Sequence, residues 1–228
     1  KKKRIYYYKN LITTQKTLRL IIFSMFSVIF PGQGSQKVGM GKNLYNNHVY
    51  IKELFSKADE ILGFSLTKVI LDGPQEKLNQ TEVTQPAVFL ISYSIYEMLK
   101  RETELDLSKA KYFAGHSLGE YSALATSESL EFDKTIKLLQ IRGKAMQSAV
   151  PKGEGGMLAV LGAEIKTISE LLKENEKYYE CYIANDNSNG QIVISGRNKN
   201  LDLLIEDLKK KGIKNIKLPV SAPFHCKL

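Results

Sequence analysis

Tyr112-Phe113-Ala114-Gly115-His116-Ser117-Leu118-Gly119-Glu120 (residues 112–120, YFAGHSLGE) carries a short apolar run straight into a glycine, a serine and a second glycine. The run has strand character, and Gly-x-Ser-x-Gly is the pattern of a nucleophile elbow. The glycines let the backbone pass sharply from strand to helix, so the serine hydroxyl projects at the apex and the N–H of the next residue, Leu118, faces the reacting carbonyl. The same pattern also arises by chance in ordinary strand-to-helix turns, so other residues must decide its meaning.

Upstream, Ser27-Val28-Ile29-Phe30 reads as a strand running into Pro31-Gly32-Gln33-Gly34-Ser35-Gln36, a glycine-punctuated loop at a strand's end. The stretch from Met25 to Phe30 is expected to be buried. Helical patterns follow around 51–62 and, after Thr84-Gln85-Pro86, around 86–100, where Val88, Ile91, Ile95, Met98 and Leu99 recur at helical spacing as a core stripe. After the strand at 112–115 come a helix over 117–126 and a longer amphipathic helix over 132–150 that carries Arg142. Alternating strands and helices imply an α/β fold whose open parallel sheet binds ligands at the strands' carboxyl ends.

The texture changes at Pro151-Lys152-Gly153-Glu154-Gly155-Gly156. Strand 157–161, helix 164–175, strand 181–185, a turn at 187–190, strand 191–195, helix 199–211 and strand 213–218 give the order βαββαβ, the ferredoxin-like signature. The expected organisation is a basic extension over 1–24, a hydrolase-like α/β main domain over 25–150, an inserted ferredoxin-like subdomain over 151–218, and a return to the main domain over 219–228.

With 228 residues, 43% hydrophobic and 25% charged, the composition is that of a globular protein with a sizeable core. The net charge of +9 raises the question of nucleic acid, and its distribution answers it. Ten of the 33 Lys and Arg fall within residues 1–52, which contain no Asp or Glu, leaving 23 basic against 24 acidic residues in the rest. A nucleic-acid binder would need a basic face on the folded body as well, so no nucleic-acid partner is expected. The basic, acid-free N-terminus reads instead as the remnant of an organellar targeting segment, plastid- or apicoplast-like or mitochondrial, with the cytoplasm as the alternative. Richness in Lys, Asn, Ile and Tyr, as from an AT-rich genome, favours the plastid type. The apolar stretch from Leu18 to Phe30 is broken by Arg19 and falls short of the roughly 18–20 residues that span a bilayer, so no membrane span is expected. A secretory signal is the competing reading, but no small-residue cleavage site precedes the strand. Two cysteines, Cys181 and Cys226, make neither a disulfide framework nor a metal cluster, which suits a reducing compartment.

Serine needs a base to act as a nucleophile near neutral pH, usually an imidazole. Of the three histidines, His48 lies in a polar stretch and reads as a solvated surface residue. His116 adjoins the serine, where neighbouring side chains diverge, and is expected to support the turn. His225, after a Pro-x-His bend, is the candidate base. The Gln33-Gly34 loop offers the second half of an oxyanion hole beside the Leu118 N–H, and losing one such donor costs about 3 kcal/mol of transition-state stabilisation. The same loop lacks the third glycine of a dinucleotide fingerprint, and no phosphate-binding G-x-x-x-x-G-K-[ST] run occurs.

PGQGSQ at 31–36, TQPA at 84–87, GHSLGEYSA at 115–123, QIRGKAM at 140–146 and PVSAPFHC at 219–226 together resemble the malonyl-CoA:acyl carrier protein transacylases of fatty acid synthesis, in order from about residue 25 to the end. The resemblance implies Ser117 as acyl-accepting nucleophile, His225 as its general base, Gln33 and Leu118 as oxyanion-hole amides, and Arg142 as the cation holding the substrate's free carboxylate. His116 and Phe224 are expected beside the substrate, Phe224 either walling the acyl pocket or as plain core. Malonyl differs from acetyl by a carboxylate, which a guanidinium can grip bidentately where an ammonium cannot. It further implies malonyl-CoA and acyl carrier protein as partners, no metal or other cofactor, a ferredoxin-like insertion and, we expect, a monomer. A basic docking patch for the acidic carrier is expected, with Lys144 and Lys152 as candidates. The family continues beyond the histidine, so a C-terminally truncated chain of reduced stability and activity is expected. Two other readings stand beside it: a serine hydrolase of esterase or patatin type, which would not need Arg142, and a non-catalytic carrier-binding module, which would tolerate loss of Ser117.

Overall fold

The computed structural model describes residues 25–151, 153–220 and 222–228, so the extension expected over 1–24 and the candidate Lys152 lie outside the described residues. By internal contacts the chain forms two units, Lys1–Gly143 and Lys144–Leu228, described separately below. This division falls inside a helix, seven residues before the 150/151 boundary read from the sequence.

In the first unit, β1 (Ser27–Phe30) pairs in parallel with β2 (Tyr112–Gly115), Ser27 opposite Tyr112 and Phe30 opposite Gly115. Between them lie α1 (Lys42–Asn47), α2 (Val49–Leu62), α3 (Leu66–Asp72), α4 (Gln75–Leu78) and α5 (Thr81–Glu102), and after β2 come α6 (Gly119–Thr126) and α7 (Phe132–Ser148). Ile51, Phe55, Ala58 and Leu62 recur at spacings of three and four along α2 and bury one face of it. They join Phe89, Leu90, Ile136 and Leu139 in the main core, while α6 packs on both strands.

Two expectations for this unit are corrected. Helix α5 begins at Thr81, so Pro86 lies inside it. A proline there removes the N–H that would bond the Glu82 carbonyl, but the Thr84 hydroxyl donates to the carbonyls of Leu78 and Gln80, at 2.5 and 3.1 Å, and ties down the first turn. Residues 83–90 are all buried, and that burial outweighs the local penalty. It also overrides the expected stripe, for Ile95 is exposed while Ser92 and Ser94 are buried. Nor is the stretch from Met25 to Phe30 buried throughout: Ile29 is 76% exposed. Successive strand side chains face opposite ways, so Val28 and Phe30 pack inward while Ile29 points to a face that no described residue covers.

In the second unit, β3 (Gly155–Leu161), α8 (Ile165–Glu174), α9 (Glu176–Tyr179), β4 (Cys181–Ser188), β5 (Gln191–Arg197), α10 (Asn198–Lys210) and β6 (Lys214–Lys217) form a four-stranded antiparallel sheet of order β4-β5-β3-β6 with two longer helices. The strand–helix alternation follows the expected order, with α9 an added turn. Leu158, Val160, Ile192 and Ile194 face Ile168, Leu201 and Leu204 of the helices. Met157 and Val193 on the other face pack with Ala222 and Phe224.

Candidate active site

The elbow is built by two glycines with no room for a side chain. A Cβ on Gly115 would run into the Gly119 backbone, and one on Gly119 would lie 2.5 Å from the Phe30 carbonyl oxygen and 2.8 Å from that of Pro31. Between them Ser117 adopts φ 54°, a left-handed conformation that a non-glycine residue holds only when its surroundings enforce it. The enforcement is visible. The His116 N–H donates to the Phe30 carbonyl at 3.0 Å, continuing the β1–β2 ladder, and the Gly119 N–H donates back to the His116 carbonyl at 2.9 Å.

Leu118 is the N-cap of α6, with its side chain buried in the core. The first N–H groups of a helix have no acceptor within it and carry the positive end of its dipole, which suits a site where negative charge develops on a reacting oxygen. The second expected donor, Gln33, sits in a loop fixed at several points: Ser35 Oγ donates to the Gly32 carbonyl (2.9 Å), the Gly34 N–H to Gln36 Oε1 (2.8 Å), and Gln36 Nε2 to Asn79 Oδ1 (3.0 Å). The His116 ring occupies the space where a Cβ on Gly32 would stand, so it packs this loop against the elbow.

Arg142, on α7, is half-buried, and its Nη2 donates to Ser117 Oγ at 3.2 Å. Nη1 donates to Gln85 Oε1 at 2.8 Å, and the guanidinium carbon lies 5.5 Å from the centre of the Tyr121 ring. Among the described residues no carboxylate pairs with this cation; both its hydrogen-bond partners are neutral. The next residue, Gly143, allows the approach. Its missing Cβ would stand 2.5 Å from Glu82 Cα and 2.7 Å from the Thr81 carbonyl oxygen, so α7 rests directly on the backbone of the first turn of α5.

The first unit thus gathers Ser117, Leu118, His116, the Gln33 loop and Arg142. His225 and Phe224 belong to the second. There Ser195 Oγ donates to the Phe224 carbonyl at 2.5 Å, Cys226 Sγ lies 3.1 Å from the Pro223 carbonyl oxygen, and Pro223 packs on Gly155. His225 follows this pinned segment as an exposed residue at φ 58°. The Phe224 side chain packs in a core cluster with Met157, Val193 and Ala222. Burial pushes the Cys181 thiol up to about 12, with Cys226 and Glu180 adding to the effect, so it stays protonated and is no nucleophile near neutral pH. Among the described residues no group of three or more His, Cys, Asp or Glu is placed to hold a metal, and no helix is long and apolar enough to cross a membrane.

His48 is not the solvated residue expected of it: its Nδ1 lies 2.7 Å from Glu102 Oε1, which also accepts from Tyr50 Oη at 2.6 Å, joining the start of α2 to the end of α5. Gln85 and Tyr121 were missed as site residues. The available signal was a lone amide side chain at the head of an apolar run, since a buried polar group requires a partner.

The profile of the acyl transferase domain family matches residues 27–227. The chain belongs to that family. Among curated relatives, this acyl transferase domain is 41% identical over 204 residues to the malonyl CoA-acyl carrier protein transacylase of Haemophilus influenzae, covering 89% of this chain and 65% of that one. It is 41% identical over 207 residues to that of Bacillus subtilis, covering 90% and 64%. The chain therefore spans about two thirds of the length of these relatives. Among solved structures, the malonyl CoA-acyl carrier protein transacylase of Clostridium perfringens superposes with a TM-score of 0.82 at 42% identity, covering 90% of this chain and 63% of that one. A malonyl-transacylase solved in complex with a type II polyketide acyl carrier protein gives 0.84 at 36% identity, with coverages of 90% and 65%. The resemblance drawn from the motifs and the names of these relatives agree.

Proposed function

We propose that this acyl transferase domain moves the malonyl group from malonyl-CoA to the phosphopantetheine thiol of an acyl carrier protein through a malonyl ester on Ser117. The observation that carries the reading is the guanidinium of Arg142, without a carboxylate partner among the described residues, 3.2 Å from Ser117 Oγ. A nucleophile beside an uncompensated cation suits an acyl group whose far end is an anion.

In the first step Ser117 Oγ attacks the thioester carbon as His225 takes the hydroxyl proton, and the carbonyl oxygen becomes an oxyanion held by the Gln33 and Leu118 amides. The C–S bond then breaks, and the imidazolium returns its proton to the departing CoA sulfur. In the second step the carrier's thiol gives its proton to His225 and attacks the ester, and serine leaves with that proton. Arg142 holds the malonyl carboxylate in both steps. Side chains and substrates supply the whole reaction, and no cofactor takes part. The solved complex of a related malonyl-transacylase with an acyl carrier protein supports that class of partner. Within this reading the β3–β6 unit is the family's ferredoxin-like subdomain, supported by its strand order, and the protein acts as a monomer in a plastid-like or mitochondrial compartment.

Mass spectrometry of the full chain after incubation with malonyl-CoA tests the proposal. A malonyl adduct on Ser117, absent from Ser117→Ala and discharged by holo-carrier protein, is expected. Thioester turnover without a carrier would favour a hydrolase, and no adduct on a folded chain would favour a binding module.

A further inference from the structure

Gln85 lies at the fifth position of α5 and is 1% exposed. A buried amide is costly unless paired, and the Arg142 guanidinium can only donate, so the atom facing Nη1 at 2.8 Å is the amide oxygen. That contact leaves Nη2 directed at Ser117. The guanidinium carbon lies 5.5 Å from the centre of the Tyr121 ring, and the glycine at 143 holds α7 against α5 at the separation the contact needs. The residue types matter as much as the positions. A carboxylate at 85 would reach the same nitrogen more strongly and cancel its charge, whereas an amide orients the cation and leaves the charge intact.

We propose that Gln85 is the positioning residue that sets acyl specificity, a neutral acceptor that fixes Arg142 beside Ser117 while keeping its positive charge available to a carboxylate-bearing acyl group. This rests on the reading of Ser117 and Arg142 as the acyl site. Gln85 acts through the arginine and need not touch the substrate. Its replacement by glutamate therefore keeps the shape and removes the net charge, and replacement by methionine keeps the volume and removes the acceptor.

The experiment uses the full chain as wild type, Gln85→Glu and Gln85→Met, each first checked for a cooperative urea transition. Ser117 is labelled with a fluorophosphonate in the presence of increasing malonate, which needs no thioester chemistry. Expressing each result as protection relative to the same variant without malonate cancels changes in serine reactivity. Malonate is expected to protect the wild type, and the concentration for half-protection is expected to rise about 10- to 100-fold in Gln85→Glu, the range of one hydrogen bond to a charged group. A smaller rise is expected in Gln85→Met. Adduct formation from malonyl-CoA and acetyl-CoA is then compared, and the malonyl-to-acetyl ratio of Gln85→Glu is expected to collapse by a similar factor, the ratio cancelling any change in serine reactivity common to both substrates. Equal malonate protection of wild type and Gln85→Glu would overturn the inference, and if only one variant folds, unchanged protection in that one does so. Protection that tracks residue 85 while wild type takes no malonyl adduct would sustain it and count against the transfer reaction alone.

Discussion

Gly143→Ala isolates the contact on which the position of Arg142 depends. The added methyl would sit 2.5 Å from Glu82 Cα, 2.7 Å from the Thr81 carbonyl oxygen and 2.8 Å from the Glu82 nitrogen, where ordinary contact begins near 3.4 Å. All three are backbone atoms and cannot swing aside, so α7 and the first turn of α5 must part by roughly 1 Å if they keep ordinary contact distances. Overpacking of this kind costs about 1–3 kcal/mol, and alanine's better helix propensity returns about 1 kcal/mol. The net loss is about 0–2 kcal/mol, a fall in Tm of up to about 8 °C for a chain of this size. The effect on the site is larger than that on the fold. Hydrogen bonds of 2.8 and 3.2 Å from Arg142 do not survive a shift of that size, and a misplacement of about 1 Å commonly costs about 100-fold in rate. Thermal unfolding and the initial rate of malonyl-Ser117 formation, measured on the same preparation, check both parts. A Tm raised by the 2–4 °C that about 1 kcal/mol of helix propensity would give, with an unchanged rate, would show that the helices do not need the bare glycine.

Arg142→Lys keeps the charge but loses the planar fork that spans Gln85 and Ser117, so the preference for malonyl over acetyl is expected to drop about 10-fold or more in paired rate measurements. Ser195→Ala leaves the Phe224 carbonyl without its hydroxyl donor, and urea denaturation should show a loss of about 1–3 kcal/mol. With its folded thiol pushed up to about 12 by burial, Cys181 should resist iodoacetamide at pH 8.5 until urea unfolds the chain, as peptide mapping would show. The same raised value means that the unfolded thiol, at its ordinary value of 9.0, loses its proton first. Stability from this group is therefore present below pH 9 and declines as pH climbs from there toward 12, an effect that should be absent from Cys181→Ala.

What the linear chain determined is what neighbours in sequence decide. Glycines at 115 and 119 prescribe a turn that forces Ser117 to a left-handed φ, and alternation and helical spacing mark the elements of the β3–β6 unit to within a few residues. These rest on local dihedral preference and side-chain period, which a sequence displays directly. The pairing of Gln85 with Arg142 joins positions 57 apart, and that of Arg142 with Ser117 positions 25 apart. No local rule encodes either, because both follow from how closely α7 settles on α5. Likewise the burial of Pro86 within a helix, the exposure of Ile29 and the engagement of His48 with Glu102 depend on what the rest of the fold places against them. The strained serine was legible because its strain is local, whereas the cation placed beside it arrives only when distant helices pack.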